Sequence, residues 1–250
     1  MTAELKKTGL EYEFLTAVEG REVDLEDTSL IDPSLTNVTQ FLAGTAGAAL
    51  SHFTACKKMI EDGLDKALIL EDDVLLPADL GPLTDAVAGQ LTGAEVALLS
   101  YGAYGTCELS REGTVELPSG RVLALPINIR LIVSGGAYVI TREAAERMVK
   151  FVLPARANPD DWWYFYREGV LDRVQCVAPL PVLKNHKLES TLGSYRLGTG
   201  LRARLVWPLV RRKIPLLHQY LGYRRHRIYS RWSQPELVDI PFVEKPSRLD

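Results

Sequence analysis

The chain has 250 residues, of which 46% are hydrophobic and 24% charged, a composition that is ordinary for a globular protein with one large core. Its net charge of −3 gives no sign of a nucleic-acid-binding protein, and no run of about 18 apolar residues predicts a membrane-spanning helix. Three cysteines without a CxxC pair argue against a disulfide framework or zinc site and favour a reducing compartment. Because the N-terminal residues lack a signal-peptide pattern, we expect a cytoplasmic location.

The first predicted elements are a short helix at the N-terminus, a strand over residues 12–17 and a turn at Gly20. Residues 21–40 are typical of a loop. A helix is predicted over residues 44–62, because apolar side chains recur there at helical spacing. Its apolar stripe consists of Ala46, Ala49, Leu50, Phe53, Cys56 and Ile60.

The pattern from residue 66 onward predicts strands that alternate with helices. The strands are residues 66–70, 94–102, 130–141 and 174–183. The helices are residues 78–91, 142–151 and 161–168, the second with Thr141 as its N-cap. Residues 66–70 form a short continuous apolar run, which favours a strand buried on both faces, as in a parallel sheet. The predicted class is therefore α/β.

Three consecutive acids, Glu71, Asp72 and Asp73, follow that apolar run in the stretch LILEDDVLL. Two unit charges ~6 Å apart cost about 3 kcal/mol at an effective dielectric of ~20, so solvent, a basic partner or a metal ion must offset the repulsion. Carboxylates at the carboxyl end of a strand form half of a site for Mg²⁺ or Mn²⁺. A solvated turn is the alternative interpretation, and both remain open at this level.

The segments around the acids resemble glycosyltransferase family 25, the lipooligosaccharide-type glycosyltransferases. The central signature is a run of small residues, Ser-His in a helix, and an apolar strand that ends in Glu-Asp-Asp-Val. Four further segments follow the order of the family. They read LEYEFLTAVEG upstream, and SGGAYVITREAAERMV, NPDDWWYF and PVLKNHKLESTLGS downstream.

The resemblance implies a GT-A-like nucleotide-sugar-binding domain with a mostly parallel central sheet over residues 1–195, followed by a basic helical extension over residues 196–250. It implies transfer of galactose or a related hexose from a UDP-linked donor to a saccharide of a lipooligosaccharide or surface glycan, with inversion. Members of the family usually open with a strand that this sequence does not contain. The alternative is therefore a non-catalytic saccharide-binding or scaffolding relative that has lost donor binding. A third interpretation, an unrelated α/β hydrolase, lacks a recognisable base.

The resemblance also assigns residues to donor and metal binding. Asp72 and Asp73 match the metal motif of the family and are the candidate ligands for Mn²⁺ or Mg²⁺. His186 stands where the family more often has an amide; it is a candidate third ligand, and a surface loop residue is the alternative. The donor-binding residues are Ser51, His52, Glu71, Asp72, Gly135 and Gly136. For His52 the alternative is a core histidine, and for the glycine pair it is a plain β-bulge.

The aromatic segment NPDDWWYF supplies the predicted acceptor side of the site. Asp161 is the candidate general base, because a carboxylate among aromatic rings is partly desolvated and more basic. Trp162 and Trp163 are candidates for stacking on the acceptor sugar. The alternative role of Asp161, shared with Asp160, is that of a helix N-cap.

The C-terminal part of the chain is strongly basic. Residues 196–234 contain ten Lys or Arg and no Asp or Glu. Within them, residues 201–232 interleave basic with aromatic and aliphatic side chains, a pattern typical of a segment that lies on an anionic membrane surface. We therefore expect peripheral association with the inner face of the cytoplasmic membrane, where a glycolipid acceptor would be anchored. A helix packed on the domain is the alternative, and no nucleic-acid-binding motif is present.

Overall fold

The structure is a computed structural model that describes residues 2–33, 43–103, 106–185, 219–220, 223 and 235–242. Its principal helices are α1 (Thr2–Thr8), α2 (Ala43–Glu61), α3 (Leu80–Gln90), α4 (Arg142–Val152) and α5 (Trp162–Arg167). Its strands are β1 (Lys66–Leu70), β2 (Val74–Leu75), β3 (Glu95–Ala103), β4 (Cys107–Ser110), β5 (Val115–Leu117), β6 (Arg121–Ala124), β7 (Ile132–Thr141), β8 (Arg173–Ala178), β9 (Leu183–Lys184) and β10 (Pro235–Val238). Short 3₁₀ helices span Gly20–Glu22, Pro118–Gly120 and Ile129–Leu131.

Six of these strands form one mixed sheet, in the order β1-β7-β3-β8-β6-β5. Only β3 and β8 pair in parallel, and the other neighbouring pairs are antiparallel. The α/β class is confirmed, whereas strand pairing differs from the expected mostly parallel sheet. The reason is that β7 lies between β1 and β3 and runs against both, and an apolar run reports the burial of a strand but not its direction.

The two faces of the sheet carry separate apolar layers. Alternate residues of β7 divide between them, with Tyr138 and Ile140 on one face and Ala137 and Val139 on the other. Helices α2, α4 and α5 cover the first face, and α3 covers the second. Because both faces are buried, the central strands read as continuous apolar runs in the sequence.

The predicted strand over residues 12–17 is wrong. These residues lie outside regular secondary structure, and their apolar side chains are exposed, Phe14 by 59%. The alternating pattern needs a neighbouring strand for its backbone hydrogen bonds, and no described strand pairs with it. The segment instead lies alongside α2. Glu13 contacts Lys58 of that helix at 3.1 Å, and the Val18 N–H donates to Ser51 Oγ at 2.9 Å.

Most of the basic extension, including nearly all of residues 201–232, lies outside the described residues, so the membrane-surface interpretation stays a prediction. His186, in the preceding domain, also lies outside them, and its role as a metal ligand stays a prediction. The end of the extension contacts the main body of the protein. β10 pairs in parallel with β4, and Ser110 Oγ donates to the carbonyl of Ile240 at 2.7 Å. Within the described part of the chain, none of the helices has the length and apolar character that crossing a bilayer requires.

A polar clamp joins the start of α3 to the β5–β6 turn. The Asp79 carboxylate accepts hydrogen bonds from the Ser119 hydroxyl and from Arg121 Nη1, the latter at 2.6 Å. The bond from Ser119 is the main cause of a lowered pKa of Asp79; burial acts in the opposite direction, and Arg121 adds to the lowering. The Asp79 side chain is partly exposed, so solvent screening limits the contribution of the clamp to about 1 kcal/mol.

We expect Asp79→Asn to lower the free energy of unfolding at pH 7 by up to about 1 kcal/mol. Because the folded pKa lies below the ordinary value of 3.8, the contribution is complete above that value and is lost as the pH falls through the folded pKa. Urea unfolding between pH 7 and pH 3 should show the two curves converging in acid. Glu116→Gln, an exposed neighbour on β5, is the control. A constant difference across this range would contradict the role of the clamp.

Candidate functional site

The candidate site lies at the edge of the sheet where β1 and β3 end and β7 begins. Because β7 runs antiparallel to β1, its first residues lie beside the acids that follow β1. The pairing continues one residue beyond β1, since the Glu71 N–H donates to the carbonyl of Gly136 at 2.9 Å. After the acids, β2 pairs with β9 and brings residues 183–185 to the same edge.

A buried polar chain connects Glu71 to the core. His52 of α2 is only 8% exposed, and its Nδ1 lies 2.9 Å from the Tyr138 hydroxyl. Its Nε2 lies 3.6 Å from Glu71 Oε1, and its ring stacks on that of Tyr138. His52 is therefore both a core residue, as its alternative interpretation held, and a contact of the acidic cluster.

The ionisation of this chain follows from its contacts. Burial of the Glu71 carboxyl opposes ionisation, but the hydrogen bond and charge of His52, together with the charge of Lys184, outweigh it and hold the pKa of Glu71 below its ordinary value. Burial raises the pKa of Tyr138 well above its usual value, so the hydroxyl keeps its proton. The Tyr138 hydroxyl lies at Nδ1 of His52, and the other ring nitrogen, Nε2, faces Glu71.

Asp73 has a basic partner of its own. Its Oδ2 lies 2.9 Å from Nζ of Lys184, which β9 carries directly opposite Val74. Asp72 is exposed to water. The repulsion among the three acids is therefore offset by His52, by Lys184 and by solvent.

The second oxygen of Asp73 lies in a different environment from the first. Asp73 Oδ1 is buried and has no hydrogen-bond partner among the residues that the structure describes. Carboxylate oxygens are among the ligands that Mg²⁺ and Mn²⁺ prefer. The described residues contain no cluster of three His, Cys, Asp or Glu side chains in metal-binding geometry. A cation here would therefore be held by Asp73 and complete its coordination with water and substrate oxygens.

The glycine pair belongs to a bulge in β7. Ser100 pairs with Ala137, and Gly102 pairs with Val133. The chain therefore advances by two residues in β3 while it advances by four in β7, which makes the bulge. A Cβ on Gly136 would lie 3.3 Å from Ser100 Oγ, which is closer than most Cβ contacts. The bulge interpretation is confirmed, and donor binding by Gly135 and Gly136 stays a prediction.

Asp161 is the N-cap of α5, which was its alternative role. Asp161 is exposed, and its carboxylate caps α5 by accepting a hydrogen bond from the Tyr164 N–H at 3.2 Å. The expected desolvation among the aromatic rings is therefore wrong, because the Asp161 side chain projects from the start of the helix into solvent. Its role as a general base stays a prediction.

The two tryptophans that follow lie in different environments. Trp162 is 0% exposed, so it is not part of an acceptor platform: a ring without accessible surface cannot stack on a sugar. Trp163 is half-buried, and the guanidinium of Arg130 lies 4.4 Å from its ring centroid.

Ser51 joins the N-terminal segment to α2. Its hydroxyl accepts a hydrogen bond from the Val18 N–H and donates to the carbonyl of Gly47 at 2.7 Å. Gly47 is required at this crossing, because a Cβ there would lie 2.7 Å from the Val18 carbonyl oxygen. These contacts give Ser51 a structural role, and its part in donor binding stays untested.

The site contains three residues that the sequence did not single out as functional. Lys184 pairs with Asp73, Tyr138 orients His52, and Asp160 accepts a hydrogen bond from the Ser134 N–H at 3.1 Å. A signal existed for Asp160 alone, as the other acid of the Asp-Asp pair, whereas Lys184 meets Asp73 only through the pairing of β2 with β9.

The fold and the site define an α/β protein with a cluster of acidic side chains at the carboxyl end of a strand, the position where open α/β sheets commonly bind ligands. The family model of glycosyltransferase family 25 (LPS biosynthesis protein) matches residues 1–163, and the chain belongs to this family. It is thus a glycosyltransferase of lipopolysaccharide biosynthesis, a class that uses a nucleotide-sugar donor and a glycan acceptor. The matched region contains the acids after β1, His52 and Asp161, but not Lys184. A search of curated proteins found no match.

Proposed function

We propose that the protein transfers a hexose, galactose or a relative, from a UDP-linked donor to a saccharide acceptor of lipooligosaccharide. Transfer proceeds with inversion on a GT-A-like domain and is assisted by Mn²⁺ or Mg²⁺. The observation that carries the proposal is the environment of the two carboxylate oxygens of Asp73, which follows β1. One of its oxygens is paired with Lys184, and the other is buried without a hydrogen-bond partner among the described residues.

The donor side of the reaction needs positive charge where the diphosphate leaves. A divalent ion held by Asp73 would act there as a Lewis acid. Lys184 already places an ammonium 2.9 Å from the same carboxylate, with 43% of its side chain exposed. It can therefore add a cationic hydrogen bond to the leaving phosphate. His52 and Lys184 hold the pKa of Glu71 below its ordinary value beside this position.

The acceptor side needs a base and a surface for the sugar. In the inverting step the acceptor hydroxyl attacks the anomeric carbon opposite the leaving group, the bond to the diphosphate oxygen breaks, and its electron pair leaves with UDP. The hydroxyl proton passes to a carboxylate, for which Asp161 is the candidate from the sequence. Trp163 offers the partly exposed aromatic face of this segment.

One observation favours the alternative, a saccharide-binding relative without catalysis. Lys184 supplies Asp73 with a protein cation, and a carboxylate neutralised in this way binds a metal ion less strongly. Sugar transfer and ligand binding must both be measured to distinguish the enzyme from the saccharide-binding relative.

The purified full chain should release UDP from at least one of UDP-galactose, UDP-glucose and their N-acetyl derivatives when a lipooligosaccharide acceptor is present. Release should increase with Mn²⁺ or Mg²⁺ and stop with EDTA, because the diphosphate leaves poorly without charge neutralisation. Mass spectrometry of the acceptor and NMR of the new anomeric centre identify the product. Calorimetric binding of the saccharide acceptor, with neither binding of a UDP-sugar nor turnover, would support the non-catalytic alternative. Turnover that is unaffected by EDTA would overturn the metal-assisted mechanism.

A further inference from the structure

Ser134 has an unusual backbone conformation at the centre of the bulge in β7. Its φ is +83°, in the left-handed region that side-chain-bearing residues rarely adopt. Such conformations persist only where surrounding contacts hold them, and they concentrate at functional sites. The next residue, Gly135, lies beside His52: a Cβ built on Gly135 would be 3.7 Å from His52 Cε1.

Both backbone polar groups of Ser134 are held by the segment that begins α5. Its N–H donates to Asp160 Oδ2 at 3.1 Å, and its carbonyl accepts a hydrogen bond from Trp162 Nε1 at 3.0 Å. Asp160 also packs against the next residue, since its Cβ would lie 3.6 Å from a Cβ on Gly135.

The two neighbouring acids of this segment therefore have different tasks. The Asp161 carboxylate caps its own helix within the segment. The Asp160 carboxylate contacts the sheet 26 residues away and fixes the strand that adjoins His52 and Glu71. Contacts that hold a site in its productive geometry raise catalytic rate without touching the reacting atoms.

We propose that Asp160 is a positioning residue for the transfer reaction. It holds Ser134 in its left-handed conformation. In this way it connects the NPDDWWYF segment, the predicted acceptor side, to the bulge of β7 that lies beside His52 and Glu71. Its catalytic consequence rests on the proposed transferase function. Its conformational consequence does not.

The test compares Asp160→Ala with Asp160→Asn. The amide oxygen of asparagine can still accept the Ser134 N–H, whereas alanine cannot. Asp160→Ala should lower kcat by on the order of a hundredfold, the scale of a misplaced site. Asp160→Asn should stay close to wild type. If both variants lose activity equally, the carboxylate has a chemical role and the positioning proposal is overturned.

Ser134→Gly supplies a second arm, because glycine adopts a positive φ without steric cost. The double variant Asp160→Ala with Ser134→Gly should recover a large part of the lost kcat. Absence of any recovery would mean that the conformation of Ser134 is not what Asp160 maintains.

Amide hydrogen exchange gives a readout that does not need turnover. The peptide that covers residues 132–137 should exchange faster in Asp160→Ala, but not in Asp160→Asn. Asp161→Ala is the matched control, because it removes a carboxylate one residue away whose hydrogen bond is to the Tyr164 N–H of its own helix. If wild type transfers no sugar while this exchange difference is present, the proposed function fails and only the conformational role of Asp160 stands. Unchanged exchange in Asp160→Ala overturns the positioning role alone.

Discussion

Replacing Asp73 by Asn should lower kcat/KM for sugar transfer by about three orders of magnitude, the scale of losing a preorganised electrostatic contact to developing charge. The substitution removes the negative charge that pairs with Lys184, and it replaces an oxygen of the cation site with a weaker neutral ligand. Without that ligand, the charge of the departing diphosphate is poorly stabilised. The measurement is initial-rate kinetics with the acceptor saturated, across a range of Mn²⁺ concentrations.

Metal binding provides a readout of the same substitution that is independent of activity. Calorimetric titration of Mn²⁺ should show binding to wild type and little to Asp73→Asn. Asp65→Asn is the control, since Asp65 has an almost fully exposed side chain and contacts only Arg142 among the described ion pairs. Equal Mn²⁺ binding and equal turnover in wild type and Asp73→Asn would remove the basis of the metal-assisted mechanism. Thermal melting of each variant confirms that the fold is intact.

Trp162→Ala should lower the free energy of unfolding by about 3–5 kcal/mol, the range for removing a fully buried large aromatic side chain. Trp162 has no exposed surface, and its ring meets that of Tyr138 edge to face at 5.2 Å. The substitution leaves a cavity between α5 and β7 and removes the hydrogen bond to the Ser134 carbonyl. Urea unfolding followed by circular dichroism measures the loss.

Trp163→Ala is the matched control for this prediction. Trp163 is the adjacent residue of the same helix, but it is half-buried and its ring packs under Arg130. Its removal should cost roughly 1 kcal/mol, the scale of a cation–π contact near the surface. If the two variants were destabilised equally, the difference in burial between the rings would not describe the protein in solution.

The positions of most helices and strands were predictable because each depends on contacts within a few residues. The apolar stripe of α2 and the continuous apolar run of β1 are local patterns, and both elements form within a few residues of their predicted bounds. The N-cap of α4 was equally predictable, since the Thr141 hydroxyl accepts a hydrogen bond from the Ala144 N–H three residues later. The strand over residues 12–17 failed for the complementary reason, because a strand depends on a partner that its own sequence does not specify.

The sequence by itself determined the α/β class, the family and the position of the acidic cluster, since each is written in residue types over short stretches. Tertiary structure alone decided what those acids contact. Lys184 reaches Asp73 through the pairing of β2 with β9, and Tyr138 orients His52 toward Glu71 because β7 runs antiparallel beside β1. Pairings between distant segments depend on how whole layers pack, so local periodicity predicts which residues are buried but not which distant residue each one meets.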